Sequence, residues 1–576
     1  MPSRNSIDNI LNHPCLFWRT HIMFSGHQMR VPNCVWATIL VSFLALPFQG
    51  LAGDDGIFTS NSDLQGLLTT EAELVKGLQH YIQQEEQKIL KLKQIAKSYE
   101  EIQIHAQDDK ETYVGNPLNS YLLIKKMTSD WTDVKEMISA NPGEDFLQNI
   151  TTQKEVFKWP SDQDLNGAAV ALVRLQSTYK LDTDDLAHGQ LNGKSYGTKL
   201  SAHDCFELGR QSYNVGDHYH SILWMNQALK RLEEEENKTV DAGDVYEYLA
   251  FSAYVQGNIR RALRLTNKLL EVQPGHTRAM GNKVYYESTL QTENDAKFKR
   301  GEDGLGEFDD PEGVAIAEES DSPGQKTPEK TNYEKLCRGE NELTEAYKAK
   351  LFCQYTTGQN PYLIYQPYKE EVVHLKPKII IYHEVLGDNE INTIKTLSTP
   401  RFKRATVQNY KTGELETANY RISKTAWLKR EEHNDIERIY QRVGDITGLN
   451  MDTSEELQVS NYGMGGHYEP HFDFARREEE HAFKSLGTGN RIATWLFYES
   501  DVDQGGATVF PQLGIGLWPK KGSAVFWYNL HRNGEGDEMT RHAACPVLAG
   551  TKWVSNFWLH ERGQEFIRPC TTSPFE

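Results

Sequence analysis

An acidic, apolar-poor stretch at residues 297–332 divides this chain of 576 residues into two parts that must each bury a core of their own. Gly301-Glu-Asp-Gly-Leu-Gly-Glu-Phe-Asp-Asp-Pro311 and Glu318-Glu-Ser-Asp-Ser-Pro-Gly324 offer too little apolar surface to offset the entropy of ordering, and predict a flexible linker. Before the break, hydrophobic residues recur with a helical period. After about Glu345 they alternate with period two between Gly, Pro and Asn-Gly signals. A chain this long exceeds one hydrophobic core, so three or four domains are expected.

On the helical side, Leu64, Leu68, Val75, Leu78, Ile82, Ile89, Leu92, Ala96 and Tyr99 follow a heptad interrupted by Glu71 and Glu85. Such a seam is satisfied by a second copy in a coiled coil or by a neighbouring helix of the same chain. Helical patterning continues to about Leu186. A weak repeat follows. Cys205–Tyr213, Gly216-Asp217 and a helix at His218–Glu236 are echoed about 40 residues later. There, Val245–Tyr254, Gly257-Asn258 and a helix at Ile259–Val272 end at Pro274. These helix–Gly–helix units resemble tetratricopeptide repeats. Tyr213, Tyr219, Tyr246, Tyr248, Tyr254, Tyr285 and Tyr286 crowd this segment. Tyrosines there can line a groove for an extended proline-rich peptide, or can serve only as core and rim of the repeat.

After the break, Lys378–Tyr382, Leu457–Tyr462, Ile492–Tyr498, Ser523–Tyr528 and Lys552–Trp558 read as strands of a sandwich or barrel. Helices at Asp388–Ser398 and Asn434–Thr447 are expected outside it. Within Asn461-Tyr-Gly-Met-Gly-Gly-His-Tyr-Glu-Pro-His-Phe-Asp-Phe474, His471 and Asp473 stand two apart, so on a strand they share a face. Imidazole and carboxylate together suit a divalent transition metal, and a second histidine completes a facial triad with open positions. His542, at the head of a later strand-like run, is the candidate. Ten residues on, Lys552 opens the final strand, sharing parity with Val554, Asn556, Trp558 and His560. A lysine facing into a barrel is costly unless an anion meets it, and the distal carboxylate of a 2-oxo acid would do so.

The apolar run Val35–Phe48, preceded by Arg30 and followed by Gly50-Leu-Ala52, predicts a signal peptide over residues 1–52 or, alternatively, a signal anchor. Cleavage there removes Cys15 and Cys34. Of the remaining cysteines, the sequence-local pairs are Cys337–Cys353 and Cys545–Cys570, with Cys205 left as a thiol; spacing alone leaves the connectivity open. Sequons at Asn149 and Asn237 fit the same oxidising compartment. The final Ser-Pro-Phe-Glu is no retention signal. A formal charge of -19 disfavours a nucleic-acid backbone as partner.

Asn461–Phe474, Gly487–Tyr498, Gly505-Gly-Ala-Thr-Val-Phe-Pro511, Trp518-Pro-Lys-Lys-Gly522 and Arg541–Gln564 together resemble the collagen prolyl 4-hydroxylase alpha subunits, a family within the iron/2-oxoglutarate dioxygenases. The resemblance spans nearly the whole mature chain. It implies a multidomain α plus β architecture: signal peptide 1–52, helical coiled-coil domain 53–198, tetratricopeptide-like peptide-binding domain 199–296, acidic linker 297–344, and a double-stranded β-helix (jelly-roll) dioxygenase domain 345–576. It implies Fe(II) on His471, Asp473 and His542, with Lys552 on the C5 carboxylate of 2-oxoglutarate. His560 would assist at the C1 end, and Tyr462 would sit in the cosubstrate pocket. Tyr213, Tyr248, Tyr254, Arg278, Asn282 and Tyr285 fall on the family's peptide-binding positions; Glu247 and Phe251 depart from the vertebrate Asp and Tyr. Phe557 replaces a lysine, at a parity opposite to Lys552. The cysteine spacings match the family's two intrachain bridges.

From the same resemblance follow 4-hydroxylation of proline in collagen-like X-Pro-Gly repeats, with 2-oxoglutarate, dioxygen and L-ascorbate. So do residence in the endoplasmic reticulum lumen and an alpha2-beta2 assembly with protein disulfide isomerase, which carries the retention signal. The alternatives are a non-catalytic collagen-binding chaperone, or a dioxygenase acting on lysine or on proline C3.

Overall fold

The computed structural model describes residues 56–573 apart from 157–158, 198, 300–326, 341–342, 359, 409–413, 480–481 and 485. The expected signal peptide and the acidic core of the expected linker lie outside the described residues. No described helix is long and apolar enough to cross a membrane.

The first part is helical. Helix α1 (Asn61–Asp108) runs 48 residues, about 70 Å at 1.5 Å per residue. Helix α2 (Pro142–Val156) packs against it: Tyr81 stacks on Phe146, and Lys88 donates to the Ala140 carbonyl at 2.7 Å. The chain therefore supplies α1 with an intramolecular partner, as the hairpin alternative required. Yet Leu68, Val75, Leu78, Ile82 and Ile89 of the heptad remain exposed. Helix α3 (Asp162–Tyr179) is started by a Ser161/Asp164 capping box and leads towards the repeats.

Four helices form the two expected units: α4 (Ala202–Asn214), α5 (His218–Glu234), α6 (Ala242–Val255) and α7 (Ile259–Val272). Gly216 and Gly257 take φ of +82° and +83° at the two equivalent turns, where a side chain would be strained. Asp217 and Asn258, next in line, cap the helices that follow. Cys205, Trp224, Met225, Val245, Leu249 and Ala262 fill the core between the helices. A fifth helix, α8 (Thr277–Lys299), covers the open side and contributes buried Tyr286.

The second part begins earlier than the linker boundary predicted. Helix α9 (Pro328–Cys337) belongs to it, because Tyr333, Leu336 and Cys337 are apolar and find a core to enter. Beyond it stand β1 (Phe352–Thr356), β2 (Tyr368–Leu375), β3 (Lys378–His383), β4 (Lys403–Arg404), β5 (Lys424–Leu428), β6 (Leu457–Tyr462), β7 (Tyr468–His471), β8 (Arg491–Tyr498), β9 (Thr508–Phe510), β10 (Ile515–Leu517), β11 (Ala524–Tyr528), β12 (His542–Ala544) and β13 (Lys552–His560). A nine-stranded sheet runs in the order β1-β2-β3-β11-β8-β13-β6-β5-β4, and a four-stranded sheet in the order β7-β12-β9-β10. The five strands and two outer helices read from the sequence lie where alternation and helical period placed them.

The disulfide differs from the sequence-local expectation. Cys337 is bonded to Cys545, while Cys353 and Cys570 are exposed thiols and Cys205 a buried one. The local pairs fail because burial opposes them: Cys353 lies on the edge strand β1, facing solvent, whereas α9 carries Cys337 into a core that already holds Cys545.

Candidate metal centre

Strands β7 and β12 pair antiparallel with His471 opposite His542. Their rings lie 4.4 Å apart between centroids. Asp473 is not on the strand, contrary to the parity argument; β7 ends at His471, and the chain bends so that the carboxylate turns back towards both rings. Asp473 Oδ1 stands 3.8 Å from His471 Nε2 and Oδ2 stands 3.6 Å from His542 Nε2. One candidate ligand atom from each residue falls within 4.8 Å of the others, the only such group among the described residues that contains two histidines and a carboxylate.

Backbone carbonyls fix the tautomers. His471 Nδ1 lies 2.8 Å from the Glu469 carbonyl and His542 Nδ1 lies 3.0 Å from that of Thr540. Each Nδ1 therefore carries the proton, and each Nε2 lone pair is left for the shared point. Burial, then the neighbouring His542, holds the His471 imidazole well below its ordinary pKa. Burial pushes the Asp473 carboxyl up, but the two imidazoles, Arg491 and the Thr494 hydroxyl more than offset it and leave it below its usual range. Two imidazoles and a carboxylate, buried and converging, fit a divalent first-row metal that keeps positions open for further ligands.

The residues behind Asp473 escaped the sequence reading. Thr494 donates to Asp473 Oδ2 at 2.7 Å and accepts from Asn529 Nδ2 at 2.9 Å. The signal was present, since Thr494 and Leu496 share a parity on β8 that faces the pocket. Thr494→Val keeps the shape and removes the hydroxyl, so metal affinity is expected to fall about 10–100-fold. Titration with Mn(II) measures it, and an unchanged affinity would mean that the hydroxyl does not orient the carboxylate.

Next to the triad opens a pocket lined by Tyr462, Leu496, Thr508, Lys552, Val554 and Asn556. The alternation predicted for β13 holds from Lys552 to Trp558, all on the pocket side. Phe557 points the other way and packs on Tyr440 in the outer core. The Lys552 ammonium is 5.0 Å from the Tyr462 ring centroid. Burial alone brings its pKa down to about 7. Burial also pushes the Tyr462 phenol up to about 12, so it stays neutral.

His560 departs from the expectation. A β-bulge between Arg491 and Ala493 shifts the register of β8 on β13, and the last residue turns out of the pocket. Its Nδ1 lies 2.8 Å from the Gly489 carbonyl and its Nε2 lies 2.9 Å from Glu455 Oε1. Glu455 in turn accepts from Arg491, whose guanidinium sits 3.6 Å from the Trp558 ring centroid and donates to the Asp473 carbonyl at 3.3 Å. In this arrangement His560 reaches the centre only through that network.

In the repeats, the expected residues form an aromatic row. Tyr213 meets Tyr248 edge-on at 4.9 Å, and Phe251 lies 5.7 Å from Tyr213 and 6.1 Å from Tyr254. The Tyr254 and Tyr285 hydroxyls are 3.2 Å apart. Arg278 is exposed and paired to Glu247 at 2.7 Å, and Asn282 is half-buried on the same helix. Asn149 and Asn237 are both exposed.

Three family models match the chain in succession. They are described as the prolyl 4-hydroxylase alpha-subunit N-terminal region (residues 60–193), the prolyl 4-hydroxylase peptide-substrate-binding domain (202–292) and the 2OG-Fe(II) oxygenase superfamily (457–560). Prolyl 4-hydroxylase subunit alpha-1 of Homo sapiens is 48% identical over 546 residues, covering 94% of this chain and 100% of the relative. Prolyl 4-hydroxylase subunit alpha-2 of Caenorhabditis elegans is 48% identical over 537 residues, covering 93% of this chain and 96% of the relative. Among solved structures, a viral collagen prolyl hydroxylase from Paramecium Bursaria Chlorella virus-1, in complex with 2OG, is 23% identical. It covers 31% of this chain and 94% of its own, with a TM-score of 0.25.

Proposed function

This chain belongs to the prolyl 4-hydroxylase alpha-subunit family, and from that premise we propose that His471, Asp473 and His542 hold Fe(II) for 4-hydroxylation of proline in collagen-like X-Pro-Gly chains. It is a 2-oxoglutarate-dependent dioxygenase, with Fe(II), 2-oxoglutarate, dioxygen and L-ascorbate as the family's cofactors and cosubstrates. The observation that carries the reading is the convergence of two carbonyl-anchored imidazoles and one carboxylate beside a pocket closed by a buried lysine.

When bound, the metal supplies oxidative decarboxylation of 2-oxoglutarate to succinate and carbon dioxide, and with it the oxygen atom inserted into the substrate C–H bond. The protein's part is orientation. His471, Asp473 and His542 would hold the metal through one donor atom each, beside the pocket that Lys552 closes. Lys552 meets the C5 carboxylate, with Tyr462 beside it closing the anionic end. Trp558 and Trp527 shield the cavity from water. The aromatic row in the repeats holds a remote stretch of the same proline-rich chain and raises its effective concentration at the barrel. Glu247 and Phe251 sit in that row, where they can retune peptide selectivity. The test is mass spectrometry of a Pro-Pro-Gly repeat peptide after turnover. A gain of one oxygen at proline C4 is expected; oxygen on lysine or at C3, or none with fully assembled protein, would refute the assignment.

Lys552 also sets a pH dependence. In the empty pocket it gives up its proton above about pH 7. A bound dicarboxylate requires the ammonium, so binding takes up a proton above that pH. Affinity for 2-oxoglutarate is therefore expected to be flat below about pH 7 with respect to this group, and to fall towards tenfold per unit above it. Calorimetry at several pH values on metal-loaded protein checks the slope; pH-independent affinity between 7 and 9 would contradict it.

The assembly belongs to the same proposal. The exposed apolar heptad on α1 suits pairing of two alpha subunits. By family membership the isomerase would complete an alpha2-beta2 tetramer in the endoplasmic reticulum lumen. The exposed sequons and the Cys337–Cys545 bridge accord with that oxidising compartment.

A further inference from the structure

We propose that Ser60 and Asn61, at the very start of α1, are positioning residues for the 2-oxoglutarate pocket, holding the two strands that carry Tyr462 and Lys552 in register. The proposal rests on the reading of Lys552 as the carboxylate anchor.

The segment from Ile57 to Asp63 opens the N-terminal helical part and touches α3, where the Ile57 N–H donates to Asp164, yet it also reaches into the catalytic barrel, with Ile57, Thr59 and Ser60 buried. A serine at a helix N-cap ordinarily spends its hydroxyl on its own helix. Ser60 occupies that position on α1 and makes no such bond. Instead its hydroxyl donates at 2.8 Å to Asn461 Oδ1, which also accepts the Ser62 backbone N–H at 3.3 Å. Asn461 in turn donates from Nδ2 to the main-chain carbonyl of Lys552 at 3.5 Å. The relay from helix start to anchor lysine thus has two steps.

Neighbouring contacts surround the same point. Asn61 Nδ2 donates to the Gly550 carbonyl at 3.1 Å and to Thr551 Oγ1 at 3.2 Å, the two residues that lead into Lys552. The Thr59 carbonyl accepts from the Gly463 N–H at 3.0 Å, just after Tyr462. Any side chain at Gly463 would collide with the Phe58 carbonyl and the Ser60 nitrogen. On the strand beyond, Lys424 faces Asn461 in register, and its fully buried ammonium is paired at 2.6 Å with Asp63. Asn461, Gly463, Lys424, Gly550 and Thr551, around the Tyr462–Lys552 pair, are therefore tied to residues 59–63. Where the Lys552 ammonium sits in the pocket depends on where its strand begins. The first residues of the N-terminal part thus back the strands of the cosubstrate site.

The test uses the full chain, secreted together with whatever subunit it requires, and measures Mn(II) binding and then 2-oxoglutarate binding to the Mn(II)-loaded protein by calorimetry. Ser60→Ala is expected to weaken 2-oxoglutarate about fivefold through the loss of one buried hydrogen bond, and Asn61→Ala similarly through the loss of its two bonds to Gly550 and Thr551. Mn(II) affinity should be unchanged in both, and Ser60→Thr, which keeps the hydroxyl, should restore the cosubstrate. Asp63 is left alone, because its removal strands the buried Lys424 and threatens folding. Unchanged 2-oxoglutarate binding in both alanine variants, alongside lost binding in Lys552→Ala, would overturn the positioning role alone. Unchanged binding in Lys552→Ala would overturn the anchor and this proposal with it.

Discussion

His542→Ala is expected to abolish turnover, lowering succinate release from 2-oxoglutarate by about three orders of magnitude or more, while the protein remains folded. His542 is the one ligand distant in sequence, supplied by the strand paired with that of His471. Without it, His471 and Asp473 are a two-point site adjacent in sequence, and such a pair neither holds a divalent ion tightly nor fixes which positions stay open. The fold should tolerate the change, because the ring is held by a single bond to the Thr540 carbonyl and by aromatic contacts with Trp527 and Phe510. Far-ultraviolet dichroism and metal content, measured on the same sample as succinate release, separate loss of iron from loss of fold. Retained activity above one part in a hundred would show that the triad has been assigned wrongly.

The second large effect lies at the other end of the pocket. Lys552→Ala should weaken 2-oxoglutarate by about two to three orders of magnitude, the loss expected when one partner of a buried charge pair is removed. Turnover at saturating cosubstrate should fall much less, because the ammonium serves the carboxylate remote from the metal. The ordinary structural reading of a buried lysine predicts something else. A lysine that merely holds the barrel together would, when removed, lower melting temperature and kcat together, with little change in the cosubstrate requirement. Here the ammonium is fully desolvated and its pKa is displaced by burial alone, so the empty barrel gains nothing from its charge. A rise in KM for 2-oxoglutarate at near-constant melting temperature is the expected pattern.

What the sequence disclosed and what it hid divide along sequence distance and backbone regularity. His471, Asp473, His542 and Lys552 were readable because each sits in or beside a strand whose alternation is visible in a few residues, and because Phe557 on the opposite face confirms the phase. Even so, Asp473 reaches the site through a bend rather than through strand parity. His560 was misplaced because parity assumes an unbroken strand, and the bulge at Arg491 breaks it just where the last residue should enter the pocket. Cysteine pairing depends on which cores the cysteines reach, which spacing does not encode: Cys337 and Cys545 are 208 residues apart and meet in one core. The heptad on α1 was legible, and so was the alternative of a covering helix from the same chain, but not that Pro142–Val156 supplies it. Least visible was the seating of Ser60 on Asn461, 401 residues away, in a stretch whose composition says only that a helix begins.

The proposed ferrous centre takes one side chain from each of two paired strands of the small sheet and a third from the bend after His471. Anomalous scattering at the iron edge from Fe(II)-soaked, oxygen-free crystals tests it most directly. A single peak bonded at about 2.0–2.2 Å to His471 Nε2, to an Asp473 carboxylate oxygen and to His542 Nε2, with the pocket side open towards Lys552, is the predicted result. A peak that leaves out His542, or no peak at this site in protein that turns over, would contradict the account.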